Sequence, residues 1–288
     1  MTPERILIIG AGTMGAGIAQ WFCQQGAHVT LRDVDTDFAE KARQRIFSSL
    51  DSLVTKGKLE AGPVATMKTK LEVAKDNSAL ATIDLAIEVI VEKLEIKNEL
   101  LRELDRELPA SAVIASNTSS IPISTLAKAL SPERQKRFLG LHFFNPATIM
   151  KLVEIIRGEK TDPELCLSFK RYFENQGKQP ALCSDGPGFI VNRVARGFYG
   201  EALRMVGDDA TEERLREIDN AMKEAGGFAM GPFELMDLIG VDVNLDVTKS
   251  VWKAFGENPR FAPHSLQERM VEQKRFGKKS KQGFYRYE

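Results

Sequence analysis

Gly10-Ala11-Gly12-Thr13-Met14-Gly15 has the spacing G-x-G-x-x-G, and the chemistry that spacing serves is the holding of a dinucleotide pyrophosphate. Gly10 permits the tight turn, Gly12 lets the backbone approach the pyrophosphate, and Gly15 lets a helix lie close on its strand. Thr13 and Met14 bring free amides at the helix start, which receive the phosphate charge. Asp33 follows where a carboxylate meets the ribose hydroxyls, and its charge would repel a 2′-phosphate. NAD is therefore expected over NADP, although Arg32 stands beside Asp33. An ordinary glycine turn is the plain alternative. A strand before, a helix after and the acid in register favour the dinucleotide.

A hydride acceptor of this kind needs a partner that moves the proton of the reacting hydroxyl, and imidazole titrates in the right range. The chain has three histidines. His28 lies within the second β run and reads as structural, while His264 follows Pro263 at a helix start and reads as a cap or surface residue. His142 stands at the C-terminal end of a β run, where open α/β sheets place ligands. Asn145-Pro146 then turns the chain, and Glu154 arrives on the next β run. Two readings stand here. Glu154 orients His142 and offsets the charge it gains, or His142 is a core histidine and Glu154 a surface carboxylate. Ser116-Asn117-Thr118-Ser119-Ser120 also ends a strand, and it too has two readings. It caps a helix, as Ser124 or Thr125 could equally do, or it sets hydroxyl and amide groups beside nicotinamide and substrate.

The elements that must position these groups alternate. β-rich runs at 5–9, 28–32, 84–89 and 112–116 are separated by helical stretches at about 13–25, 36–58 and 93–108. Further β runs lie at 138–144, 152–156 and near 180–183. That order predicts an α/β domain with a doubly wound, Rossmann-type, mostly parallel sheet over residues 1–185. Ser184-Asp185-Gly186-Pro187-Gly188 is turn-rich, and beyond it the period becomes helical. Ile190, Val194, Phe198, Ala202 and Met205 recur every three or four residues, as do Leu215, Ile218, Met222 and Ala225. An all-helical C-terminal domain is expected over residues 186–288.

Lys plus Arg balances Asp plus Glu at 40 each, so nucleic acid and anionic lipid gain no general attraction and neither is expected as a partner. No apolar run reaches the ~20 residues that span a bilayer. Cys23, Cys166 and Cys183 lack disulfide or metal spacing, and no Cys/His/Asp cluster offers a metal site. Met1 to Arg5 has neither signal-peptide nor transit-peptide character. A cytoplasmic, metal-free protein is the expectation.

Seven motifs occur together and in order. They are the glycine fingerprint, Ser116 to Ser120, His142-Phe143-Phe144-Asn145-Pro146, Met150-Lys151-Leu152-Val153-Glu154, Pro187 to Arg193, Met230-Gly231-Pro232-Phe233-Glu234, and Phe276 to Lys279 with Gly283-Phe284-Tyr285. Over essentially its whole length the chain resembles the L-3-hydroxyacyl-CoA dehydrogenase family, particularly its short single-function 3-hydroxybutyryl-CoA members. No hydratase segment accompanies the motifs in these 288 residues, so the single-function form is expected.

The resemblance implies an NAD-dependent oxidoreductase that moves hydride between the cofactor and C3 of a 3-hydroxyacyl-CoA or 3-ketoacyl-CoA, of short chain. His142 would be the general acid or base and Glu154 its orienting partner. Ser119 would bond the substrate's 3-oxygen, and Asn192 would position substrate from the first turn of the helical domain. Ser49 and Lys56 would touch coenzyme A, and residues seven apart on a helix do share a face. Glu92, Lys97, Asn117, Ser119, Asn145 and Lys279 would lie near the cofactor. By charge alone, Glu92, Lys97 and Lys279 read as solvated surface. The resemblance also implies a helical domain that closes over the crevice and pairs two copies as a homodimer. Phe228 and Ala229 depart from the family pattern, which puts acyl specificity or loop rigidity in question. A dehydrogenase of a free hydroxy or sugar acid would not need Ser49 and Lys56. A non-catalytic dinucleotide-binding protein would not need His142, Glu154, Ser119 and Asn192 together.

Overall fold

Ile6-Leu7-Ile8-Ile9 has no polar residue to turn toward water, and it forms an interior strand with a neighbour on each side. The computed structural model describes residues 2–74, 76 and 78–288, the side chains of Ser78 and Ala79 excepted. Contacts divide the chain into two units, Met1–Gly186 and Pro187–Glu288.

In the first unit the order is β1 (Arg5–Ile9), α1 (Thr13–Gln24), β2 (His28–Arg32), α2 (Thr36–Thr55), α3 (Ala61–Thr69), β3 (Leu71–Val73), β4 (Leu85–Glu88) and α4 (Leu94–Glu107). Then come β5 (Val113–Ser116), α5 (Ile123–Ala127), α6 (Pro132–Gln135), β6 (Phe138–Phe143), β7 (Leu152–Arg157), α7 (Pro163–Asn175) and β8 (Gln179–Ser184). The strands form one sheet in the order β3-β2-β1-β4-β5-β6-β7-β8. Every pairing is parallel except β6 with β7. The chain reverses its direction of travel between β1 and β4, and the crevice outside that point is where such sheets bind ligands. The core beneath gathers Ile6, Ile8, Leu31, Ile87, Phe22 and Phe173.

Several elements differ from the sequence reading. The helix expected to reach residue 58 ends at Thr55, with Gly57 at a positive φ just beyond. The short α3 and β3 follow it, and a three-residue strand carries no periodicity to read. Helix α7 was also absent from the sequence reading. Parallel β7 and β8 require a crossover, and Asp162 caps α7 by accepting from the Glu164 N–H at 2.9 Å. His28 is exposed at the first position of β2 rather than enclosed within it.

The second unit contains α8 (Val191–Val206), α9 (Glu212–Glu224), α10 (Pro232–Ile239), α11 (Val241–Ala254) and α12 (Ser265–Glu272). Its core includes Leu203, Leu215, Phe233, Met236 and Phe284. Buried Asp219 accepts from the Phe233 and Glu234 N–H groups and so caps α10. His264 caps α12 by accepting from the Leu266 N–H at 3.2 Å. The apolar row of α8 is largely outward: Val194 is 70% and Met205 60% exposed. No helix is long and apolar enough to cross a membrane among the described residues.

Candidate functional site

The β1–α1 turn has the shape its glycines dictate. Gly10 has φ +110°, and a Cβ there would stand 2.4 Å from the Val89 carbonyl oxygen. A Cβ on Gly15 would stand 1.8 Å from the Gly10 oxygen, so the helix lies against the loop only because Gly15 lacks a side chain. At Gly12 an added Cβ meets nothing, which is the open approach a pyrophosphate needs. No side chain caps α1, and its first turn contains no acid, so its N-terminal amides suit an anion. The Asp33 carboxylate accepts from the Ala11 N–H at 2.7 Å and pins the loop at the end of β2. Arg32 is drawn aside to Glu103 of α4 at 2.5 Å. These residues fit NAD.

Beside this turn β4 ends in Glu88, buried at 0% exposure and opposite Ile9 of β1 and Ser116 of β5. Its carboxylate accepts from Lys97 Nζ at 2.5 Å, from Ser116 Oγ at 2.5 Å and from the Ile90 N–H at 2.8 Å. Lys97 is only 1% exposed, which overturns its reading as solvated surface. Its ammonium also lies 3.1 Å from Glu92, whose side chain is 36% exposed. Glu88 went unremarked in the sequence. The available signal was a carboxylate inside an otherwise apolar strand, which requires a buried partner.

Glu92 holds the Ser116–Ser120 loop. One carboxylate oxygen accepts from Thr118 Oγ1 at 2.6 Å, Ser120 Oγ at 2.8 Å, and the N–H groups of Ser119 and Ser120 at 3.1 and 3.2 Å. Burial pushes the Glu92 carboxyl up, but the Lys97 ammonium and the Thr118 and Ser120 hydroxyls outweigh it and hold it below the usual carboxylate range. The capping reading of this loop fails. Helix α5 begins at Ile123 without a side-chain cap from its N-cap residue, and Asp185 instead accepts from the Ile123 and Ser124 N–H groups at 2.7 and 2.6 Å. Ser124 lies within α5, where its hydroxyl accepts from the Glu159 N–H.

The Asn117 side-chain oxygen accepts from the Phe143 N–H at 2.8 Å, tying this loop to the end of β6. One residue earlier on β6 is His142. It is the antiparallel register partner of Glu154 on β7, and His142 Nδ1 lies 2.6 Å from Glu154 Oε2. Both residues are buried, so Glu154 is not a surface carboxylate. A neutral imidazole donating from Nδ1 to a carboxylate has Nε2 as its basic nitrogen. The Phe144 ring packs at a tilt against the His142 ring with centres 4.6 Å apart, and Asn145 follows on the exposed turn.

The remaining residues singled out in the sequence belong to other segments of the chain. Ser49 is within α2, where its hydroxyl accepts from Gln20 Nε2 at 3.1 Å, and Lys56 is the exposed C-cap residue of the same helix. In the second unit, Asn192 is the second residue of α8, and Lys279 bonds Asp242 at 2.6 Å. Phe228 packs at a tilt against Phe198 with ring centres 4.9 Å apart.

Comparison with known proteins gives two family matches. The 3-hydroxyacyl-CoA dehydrogenase NAD-binding domain matches residues 5–186, and the 3-hydroxyacyl-CoA dehydrogenase C-terminal domain matches residues 188–287. The chain is 42% identical over 282 residues to a 3-hydroxyadipyl-CoA dehydrogenase of Escherichia coli (strain K12), covering 98% of this chain but 58% of that protein's length. It is 39% identical over 291 residues to the human mitochondrial hydroxyacyl-coenzyme A dehydrogenase, covering 99% and 91% of the two chains. Among solved structures, (S)-3-hydroxybutyryl-CoA dehydrogenase from Ralstonia eutropha superposes with a TM-score of 0.93 at 34% identity, covering both chains fully.

Proposed function

The chain belongs to the 3-hydroxyacyl-CoA dehydrogenase family, whose NAD-binding and C-terminal domains it carries, and from that premise we propose that it interconverts 3-hydroxybutyryl-CoA and acetoacetyl-CoA with NAD. The observation that carries the proposal is the buried His142–Glu154 pair, near the C-terminal end of β6 in the unit that bears the dinucleotide fingerprint. Bound NAD would supply the hydride acceptor, and NADH the hydride donor, for C3. His142 takes the 3-hydroxyl proton at Nε2 and gives it back in the reverse direction. Glu154 keeps the proton on Nδ1 and offsets the positive charge that His142 gains. Ser119, on the loop that Glu92 and Lys97 hold in place, bonds the 3-oxygen, and Asn192 serves substrate positioning.

Gly10, Gly12, Thr13, Met14 and Gly15 receive the pyrophosphate, while Asp33 bonds the adenosine ribose and disfavours NADP. Asn117, Asn145 and Lys279 complete the cofactor-facing set. Ser49 and Lys56 bind the coenzyme A portion, Lys56 by charge. A homodimer formed through the helical unit is supported by the outward apolar residues Val194, Met205 and Leu238. Three free cysteines support a cytoplasmic location.

The deciding experiment compares substrates. NADH oxidation should be rapid with acetoacetyl-CoA and negligible with acetoacetate or with no acceptor. Equal rates with acetoacetate would remove the coenzyme A part of the proposal, and no rate with either would remove the activity.

A further inference from the structure

Lys178 is a buried lysine that the proposed mechanism does not use. Its ammonium donates to the Ala147 carbonyl at 2.5 Å and to the Met150 carbonyl at 2.6 Å. Both carbonyls belong to the segment between His142 and Glu154, where the Ile149 and Met150 N–H groups already turn back onto the Pro146 oxygen. The same ammonium lies 4.9 Å from the Trp21 ring centre and 5.9 Å from that of Phe143. Trp21 belongs to α1, the helix of the dinucleotide fingerprint, and Phe143 adjoins His142. No carboxylate pairs with Lys178 among the described residues. Burial pushes its ammonium down to about 8, and carbonyl dipoles and ring faces do the work of a counter-ion.

We infer that Lys178 is a positioning residue for the reaction, tying the segment that joins His142 to Glu154 onto the dinucleotide helix so that the proton-transfer pair is held against the bound cofactor. The inference rests on the reading of His142 and Glu154 given above. A buried charge is a costly way merely to fill space, and methionine would fill the same volume without it. What methionine lacks is a donor for two carbonyls that point inward from opposite ends of one turn. Without that donor the carbonyls lose their partner and the turn loses its anchor. Misplacing a reacting group by about 1 Å can cost on the order of a hundredfold in rate.

The test is Lys178→Met, with NADH-binding stoichiometry, NADH affinity and turnover of acetoacetyl-CoA measured on the same preparation. Turnover per NADH-binding site should fall by on the order of tenfold to a hundredfold, while NADH affinity stays within about twofold. A purely architectural role would lower turnover and NADH-binding sites in parallel, leaving turnover per site unchanged, and that result overturns the inference. Lys178→Gln, which keeps an N–H donor without the charge, should recover part of the loss. If Lys178→Met does not fold, Lys178→Gln is judged by the same per-site ratio, and failure of both to fold makes the residue architectural and the inference wrong. An inactive wild type would instead refute the proposed function, so the two failures are distinguishable.

Discussion

Replacing Glu154 with glutamine keeps size and hydrogen-bonding capacity at a buried position and removes one charge. In the wild type, Oε2 lies 2.6 Å from His142 Nδ1, so under the proposed mechanism the carboxylate would face the imidazolium formed when His142 takes a proton. At a charge separation of about 4 Å and an effective dielectric of about 20, that attraction is about 4 kcal/mol. The glutamine retains a neutral hydrogen bond of about 1 kcal/mol, leaving a net loss of roughly 2–3 kcal/mol. Each 1.36 kcal/mol or so is tenfold in rate, so turnover should fall by about a hundredfold. Single-turnover reduction of acetoacetyl-CoA, followed by nicotinamide fluorescence, reads the step free of product release. NADH affinity should be nearly unchanged, because the fingerprint lies at the turn from β1 into α1 and Glu154 on β7. A Glu154→Gln enzyme within about threefold of wild type would refute the reasoning, since roughly 0.6 kcal/mol is too little for a buried charge opposite a forming cation.

Lys97→Met strands the Glu88 carboxylate in the core and should destabilise the fold by about 3–5 kcal/mol in denaturant titrations, whereas a surface lysine would cost almost nothing. Glu92 is held below its ordinary pKa when folded, so its stabilisation is present above its unfolded value of about 4.3 and is lost as pH falls through the lower folded one. Wild type should therefore show an acid-side loss of stability that Glu92→Gln lacks, and identical acid profiles would count against the Glu92 loop anchor. Catalytic efficiency should be higher with NADH than with NADPH, and equal or inverted efficiencies would remove Asp33 as the selector. Lys56→Ala should raise the KM for acetoacetyl-CoA while leaving that for S-acetoacetyl pantetheine nearly unaltered, and an equal rise for both would place Lys56 outside coenzyme A binding.

The β1–α1–β2 unit was legible in the sequence because apolar run, glycine spacing and terminal acid each have a steric or electrostatic cause that acts locally. The His142–Glu154 contact was legible only as one of two readings. Direct opposition across β6 and β7 depends on antiparallel register, and twelve residues of separation do not specify a register. The Glu88–Lys97 pair went unread because it joins a strand end to a helix across a loop, with no fixed spacing to signal it. Periodicity identified α8 as a helix but not which face is covered, and Val194 and Met205 turned out exposed while Arg196 and Tyr199 are buried. Helix α7 was readable in principle, since Asp162-Pro163 is a helix start and Leu165, Phe169 and Phe173 recur every four residues.

The central claim is direct hydride exchange between NAD and C3 of an acyl-CoA, with His142 moving the proton. Reduction of acetoacetyl-CoA with NADH deuterated at the transferable position of nicotinamide C4 tests it most directly, with mass analysis of the product. The account predicts 3-hydroxybutyryl-CoA carrying one deuterium at C3, and none at C3 when ordinary NADH is used in heavy water. Product without deuterium at C3 in the first experiment, or with solvent deuterium there in the second, would contradict it.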